Sequence, residues 1–189
     1  CATPTRVAHN FLCSGCRSTR ASAGHPLFVD ISMLSRDLRM ANIQVVDYDA
    51  CEFISAMPLC RHGVMQVVGF KGKTLIRKCF DVSKFPPDPA LRELQVYFCA
   101  RHLQGCAIPR LHHVTLMGFY LCLTLDMCEA LDDEFDTWRT EDLRAAAESL
   151  ECLATAGVRH GDISPANFGR YGDRVFAFDF EEATVQMDQ

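Results

Sequence analysis

A chain of 189 residues in which 24 acidic side chains outweigh 19 basic ones, for a formal charge of −5, lacks the broad basic surface that binding to nucleic acid requires. Apolar residues make up 49% of it, enough for one domain with a real core or for two small lobes, yet no apolar run reaches the ~20 residues of a membrane span. The cysteines number eleven, an odd count scattered through apolar segments, which is the pattern of packed, reduced thiols in a cytoplasmic or nuclear setting rather than of a disulfide framework.

In chain order, residues 1–25 are rich in Ser, Thr, Ala, Arg and Gly and read as a disordered tail. Within them Cys13-Ser14-Gly15-Cys16 has the spacing of half a zinc site, with only His9 and His25 near enough to complete it. The chain opens on Cys1 rather than methionine, without a basic segment ahead of an apolar one, so it reads as a fragment or processed product with no secretory signal. Residues 26–43 are read as a helical extension, since Leu27, Ile31, Leu34 and Leu38 fall at helical spacing.

From Gln44 to Phe80 the pattern turns to strands. Glu52-Phe53-Ile54, then Val64 to Phe70, then Lys73 to Lys78 are separated by Arg61-His62-Gly63 and by Lys71-Gly72, which predicts an antiparallel meander. Pro86-Pro87-Asp88-Pro89 breaks the chain, and a helix is predicted from about Pro89 to Gln104 with Leu91, Leu94, Phe98 and Leu103 on its apolar side and Gly105 as its stop. Val114 to Leu125, interrupted by Thr115, Gly118 and Thr124, reads as paired buried strands, and the acidic run Leu131 to Asp136 as a solvated loop. Thr140 is a hydroxyl N-cap candidate with Glu141 and Asp142 in the first turn; Leu143, Ala147, Leu150, Leu153 and Ala154 then follow helical spacing up to Gly157.

The most informative stretch is residues 160–181, HGDISPANFGRYGDRVFAFDFE. Asp162 and Asn167 lie five residues apart on an irregular Ser-Pro loop, and Asp179 follows the apolar run Val175-Phe176-Ala177-Phe178 after the turn residues Tyr171-Gly172-Asp173. A loop, strand, tight turn and strand of this kind would return Asp179 to the side of Asn167 and offer two oxygen ligands to a hard cation such as Mg²⁺. Asp162 would remain free to accept a proton from an attacking hydroxyl.

His160-Gly161-Asp162-Ile163-Ser164-Pro165-Ala166-Asn167 followed by Asp179-Phe180-Glu181 resembles the catalytic loop and metal-binding strand of the protein-kinase-like superfamily. Gly161 in place of an arginine is similar to the aminoglycoside and choline phosphotransferases and to atypical and fungal kinase-like proteins, and Glu181 stands where the family carries glycine. The resemblance covers roughly residues 44–181. It implies an α+β, protein-kinase-like fold: an N-lobe at 44–126 with an antiparallel sheet and one helix, then a partial, mainly helical C-lobe at 127–189. It implies ATP and Mg²⁺ as cofactors and a protein or small-molecule hydroxyl as acceptor, with neither nucleic acid nor membrane as partner. Asp162 becomes the catalytic base and Asn167 and Asp179 the metal ligands. Lys78, sharing a strand face with Ile76, becomes the phosphate-binding lysine, paired to Glu93. Gly63 lies in the loop over the phosphates, and backbone groups of Asp126, Met127 and Cys128 meet the adenine edge. From the residues alone, Lys71, Lys73 and Lys78 also fit solvated strand ends, and Glu93 also fits a partner in Arg92 or water. Eight residues follow Glu181, where the family carries an activation segment and further helices, so the C-lobe is expected to be truncated or minimal, with Leu150, Leu153 and Phe178 partly uncovered. The glycine-poor loop, Glu181 and the short C-lobe give the alternative: an inactive pseudokinase or kinase fragment acting as a binding module.

Overall fold

The computed structural model describes residues 44–57, 61–86 and 88–186; the tail, the helical extension and the Cys13/Cys16 pair lie outside the described residues. The first half is a five-stranded antiparallel sheet built from β1 (Glu52–Ala56), β2 (Gly63–Phe70), β3 (Lys73–Asp81), β4 (Leu111–Met117) and β5 (Tyr120–Asp126), in the order β1-β2-β3-β5-β4. The meander is the one the strand pattern predicts, and Val114 to Leu125 does form paired strands, with Val114 opposite Leu123 and Leu116 opposite Leu121.

Between β3 and β4 runs helix α1 (Asp88–Cys99). It stops five residues short of the expected Gln104, because the chain tightens into a 3₁₀ turn at Arg101–Leu103. There the Gln104 side chain donates to the Tyr97 carbonyl at 2.9 Å, satisfying an acceptor that the helix end would otherwise leave orphaned.

The second half differs from the expectation of a mainly helical lobe. Among the described residues it holds one α-helix, α2 (Thr140–Thr155), and two small antiparallel sheets. One joins β6 (Glu129–Ala130), β8 (Phe168–Tyr171) and β9 (Arg174–Ala177); the other pairs β7 (Val158–Arg159) with β10 (Thr184–Val185). Over its described residues the molecule is thus α+β, with a mostly antiparallel sheet and two α-helices. Neither helix is long and apolar enough to cross a membrane.

α2 also buries a different face from the one its apolar spacing marks. Asp142, Ala146, Ser149 and Leu153 point inward, while Leu143 is 41% exposed and Ala147 and Ala154 face solvent. Two of the four are polar, and each has partners: Ser149 donates to the Val175 carbonyl of β9 at 2.6 Å, and Asp142 accepts from Arg139 and Arg170. Nor is Thr140 the N-cap. That position is Arg139, whose guanidinium reaches forward to Asp142.

One apolar core runs through both halves. It joins Phe80, Leu121 and Leu123 of the sheet and Leu94 and Tyr97 of α1 to Trp138, Leu153, Phe168 and Phe180. Leu153 is therefore fully covered, and Leu150 packs against the same core. A smaller cluster of Cys51, Val68 and Leu75 lies on the opposite face of the sheet, beside the buried Arg77. The ring of Tyr48 stacks on the Arg77 guanidinium at 4.3 Å. The seven cysteines among the described residues are free thiols.

Candidate active site

Strand alternation sends Ile76, Lys78 and Phe80 to the face of β3 that α1 covers, and Lys78 meets Glu93 there. The Lys78 Nζ donates to Glu93 Oε2 at 2.7 Å and to Asp179 Oδ1 at 2.7 Å, and forms an ion pair with Glu181 Oε1 at 2.8 Å. The side chain is 6% exposed. Burial by itself would lower the Lys78 pKa, but Glu93, Asp179 and Glu181 together hold it above its ordinary value. Glu93 carries the opposite burden. It is fully buried, and burial pushes its carboxyl up to about 7; Lys78 opposes the shift, while Asp179 and Glu181 add to it. Three carboxylates around one ammonium leave the cluster with surplus negative charge, and their oxygens lie within 4.8 Å of one another.

Glu181 is the residue that sequence reasoning missed. It stood as a departure from a motif, yet it lies on the same ammonium as the expected partner. Alternation along a strand could not have signalled it, because Asp179 has φ +64° and the chain leaves the extended conformation there. His62 was missed as well. Its Nδ1 bonds Glu181 Oε2, so the carboxylate bridges His62 and Lys78. Two arginines secure the neighbouring backbone and side chain: Arg92 donates to the Glu181 carbonyl at 3.0 Å, and Arg61 pairs with Glu182 at 2.9 Å on the surface.

The loop of residues 160–167 packs against this cluster. His160 is structural: its Nε2–H donates to the Phe178 carbonyl at 2.9 Å, and its ring sits against Phe168 and Phe180. Burial lowers its pKa and keeps the imidazole neutral. Gly161 has φ +87°, and a Cβ there would stand 2.2 Å from the Glu182 carbonyl oxygen, so no larger residue fits. That is the physical reason for His-Gly-Asp in this chain. Asn167 is buried, and its Nδ2 donates to both the backbone oxygen and Oδ2 of Asp162 at 3.0 Å. The hairpin of β8 and β9 then brings the chain back, with the Phe178 N–H on the Asn167 carbonyl at 3.0 Å and Asp179 one residue beyond. Asp179 holds φ +64°, a conformation that Asp tolerates better than most side chains.

Asp179 and Asn167 suit a hard divalent cation in their chemistry. Asp179 is 39% exposed and uses one oxygen on Lys78, leaving the other. Asn167 spends its amide N–H groups on Asp162, leaving Oδ1. A carboxylate and a carbonyl oxygen are ligands that Mg²⁺ takes.

The remaining expected positions fare differently. Gly63 is the first residue of β2, opposite Phe80, and a Cβ there would fall 1.8 Å from the Cys79 carbonyl oxygen. Its lack of a side chain serves the contact between β2 and β3. Asp126 cannot offer its amide to an adenine edge, because that N–H donates to the Arg110 carbonyl at 3.1 Å. Its carboxylate is also engaged, by the Arg110 N–H at 3.1 Å and by His112 Nε2 at 2.7 Å. Met127 is 43% exposed and Cys128 half-buried, with burial and Asp126 pushing the Cys128 thiol up to about 12.

No protein-family model matches the chain, and no curated protein matches it.

Proposed function

We propose that this chain is a kinase-like phosphotransferase that moves the γ-phosphoryl group of ATP to a hydroxyl of a protein Ser/Thr or of a small molecule. The observation that carries the reading is Lys78, a buried strand lysine held at 2.7 Å by a helix glutamate and at 2.7 Å by Asp179, the acid that follows the β8–β9 hairpin. Further support is the order of elements, a meander with a helix between its third strand and the next pair, then a loop and hairpin.

In this reading Lys78 binds the α- and β-phosphates and Glu93 fixes its direction. Asp162 is exposed, so an acceptor can reach its carboxylate, and Asn167 fixes that carboxylate's orientation. The hydroxyl proton passes to Asp162 as the oxygen attacks the γ-phosphorus. Mg²⁺, held by Asp179 and Asn167, would supply charge neutralisation on the phosphates. Adenine recognition falls to Met127 and Cys128, without the Asp126 amide. The cytoplasmic or nuclear setting belongs to the same proposal.

A second reading, a nucleotide-binding module without turnover, draws on Glu181, which pairs with the Lys78 ammonium. ADP release from Mg²⁺ and ATP separates the two. For the enzyme, Asp162→Asn should lower turnover by about 10²–10⁴-fold and leave ATP affinity within about twofold. A variant that turns over as fast as the unmodified chain removes Asp162 from the chemistry. Nucleotide binding without any ADP release from the unmodified chain selects the binding module.

A further inference from the structure

A phosphate approaching Lys78 must compete with the three carboxylates that surround its ammonium. Glu93 is wholly buried and comes from the helix that positions the lysine, and Asp179 is the proposed metal ligand. Glu181 remains. Its two oxygens are divided between partners on different elements: Oε1 on the Lys78 Nζ of β3, and Oε2 on Nδ1 of His62, just ahead of β2. An anionic group whose oxygens span a strand lysine and a histidine at the next strand's entrance makes the contacts of a phosphate in a charge-assisted seat. Gly63 beside it is committed to close packing on β3, so this entrance meets an anion with an imidazole ring rather than with glycine amides.

We infer that Lys78 and His62 together form a seat for a nucleotide's phosphates, and that Glu181 is the seat's resident occupant. This rests on the phosphotransferase reading and adds two residues to it. His62 contacts phosphate once nucleotide binds, and Glu181 competes with it. The ring of His62 also packs edge-on against Phe85 at 5.7 Å, so His62→Phe keeps an aromatic ring there and removes only the donor.

The test is titration of the full chain, His62→Phe and Glu181→Gln with ATP, ADP and adenosine in Mg²⁺. His62→Phe should weaken ATP and ADP about tenfold, and Glu181→Gln should tighten both about tenfold, with adenosine unmoved in each. A merely structural role would shift adenosine as much as ATP, or move both variants in one direction, and either result overturns the inference while leaving nucleotide binding intact. Unchanged affinities in both variants overturn it equally. If all three proteins ignore ATP, ADP and adenosine alike, the phosphotransferase reading itself falls and takes this inference with it. Should a variant fail to fold, the unmodified chain still decides: the ring ¹⁵N resonances of His62 should move on adding ADP and not on adding adenosine, and an unmoved ring overturns the seat.

Discussion

Replacing Glu93 by glutamine removes a wholly buried carboxylate while keeping its shape. Burial is the main reason that its carboxyl titrates near 7 in the folded protein rather than at its ordinary 4.5, with Asp179 and Glu181 adding to the shift and Lys78 resisting it. Between those two values the native state binds more protons than the unfolded chain, so this group's contribution is fully present below pH 4.5 and is lost as pH rises through 7. At about 1.4 kcal/mol for each tenfold step, the loss amounts to about 3 kcal/mol. Glutamine does not titrate. Unfolding free energies from urea denaturation at several values between about pH 4 and pH 8 should therefore show the difference between Glu93→Gln and the unmodified protein moving by about 3 kcal/mol in the variant's favour as the pH rises. His113 works in the opposite direction: burial first and then Arg77 lower its pKa to about 4, so its contribution grows as pH rises toward 6.5. That slope is common to both proteins and cancels in the difference. Parallel curves would refute the reasoning, since they would mean that Glu93 stays ionised throughout and Lys78 offsets its burial in full.

Two further substitutions probe the frame around the site. Gly161→Ala places a Cβ against the Glu182 carbonyl at a φ of +87°, and should cost at least about 2 kcal/mol, read as a lower melting temperature. Asp142 is held well below the usual carboxylate range by hydrogen bonds from Arg139 first and Arg170 second. Asp142→Asn should cost about 1–2 kcal/mol at pH 7, and the gap between variant and unmodified protein should narrow as acid carries the pH below 3.8; a constant gap would exclude the charge as the cause.

Much of the fold and the main line of the site were legible in the chain itself. Strand alternation, the Lys71-Gly72 turn, the proline break before α1 and the Ser-Pro loop ahead of an apolar strand are local patterns, and local backbone preference determines them. Lys78 opposite Glu93 was also legible, because a strand lysine followed by a helix glutamate has few ways to be buried except together. Tertiary packing decided the rest. It turned Asp142 and Ser149 of α2 inward in place of Leu143, since Arg170 and the Val175 carbonyl lay waiting for them on β8 and β9. It consumed the Asp126 amide through Arg110, a residue whose backbone faces β5 only once β4 folds back. It brought Glu181 to His62, 119 positions earlier in the chain, and set both beside the lysine. Residue spacing governs which side chains share a face of one element; which charges meet across elements depends on how those faces pack, and a buried ammonium takes as many carboxylates as that packing delivers to it.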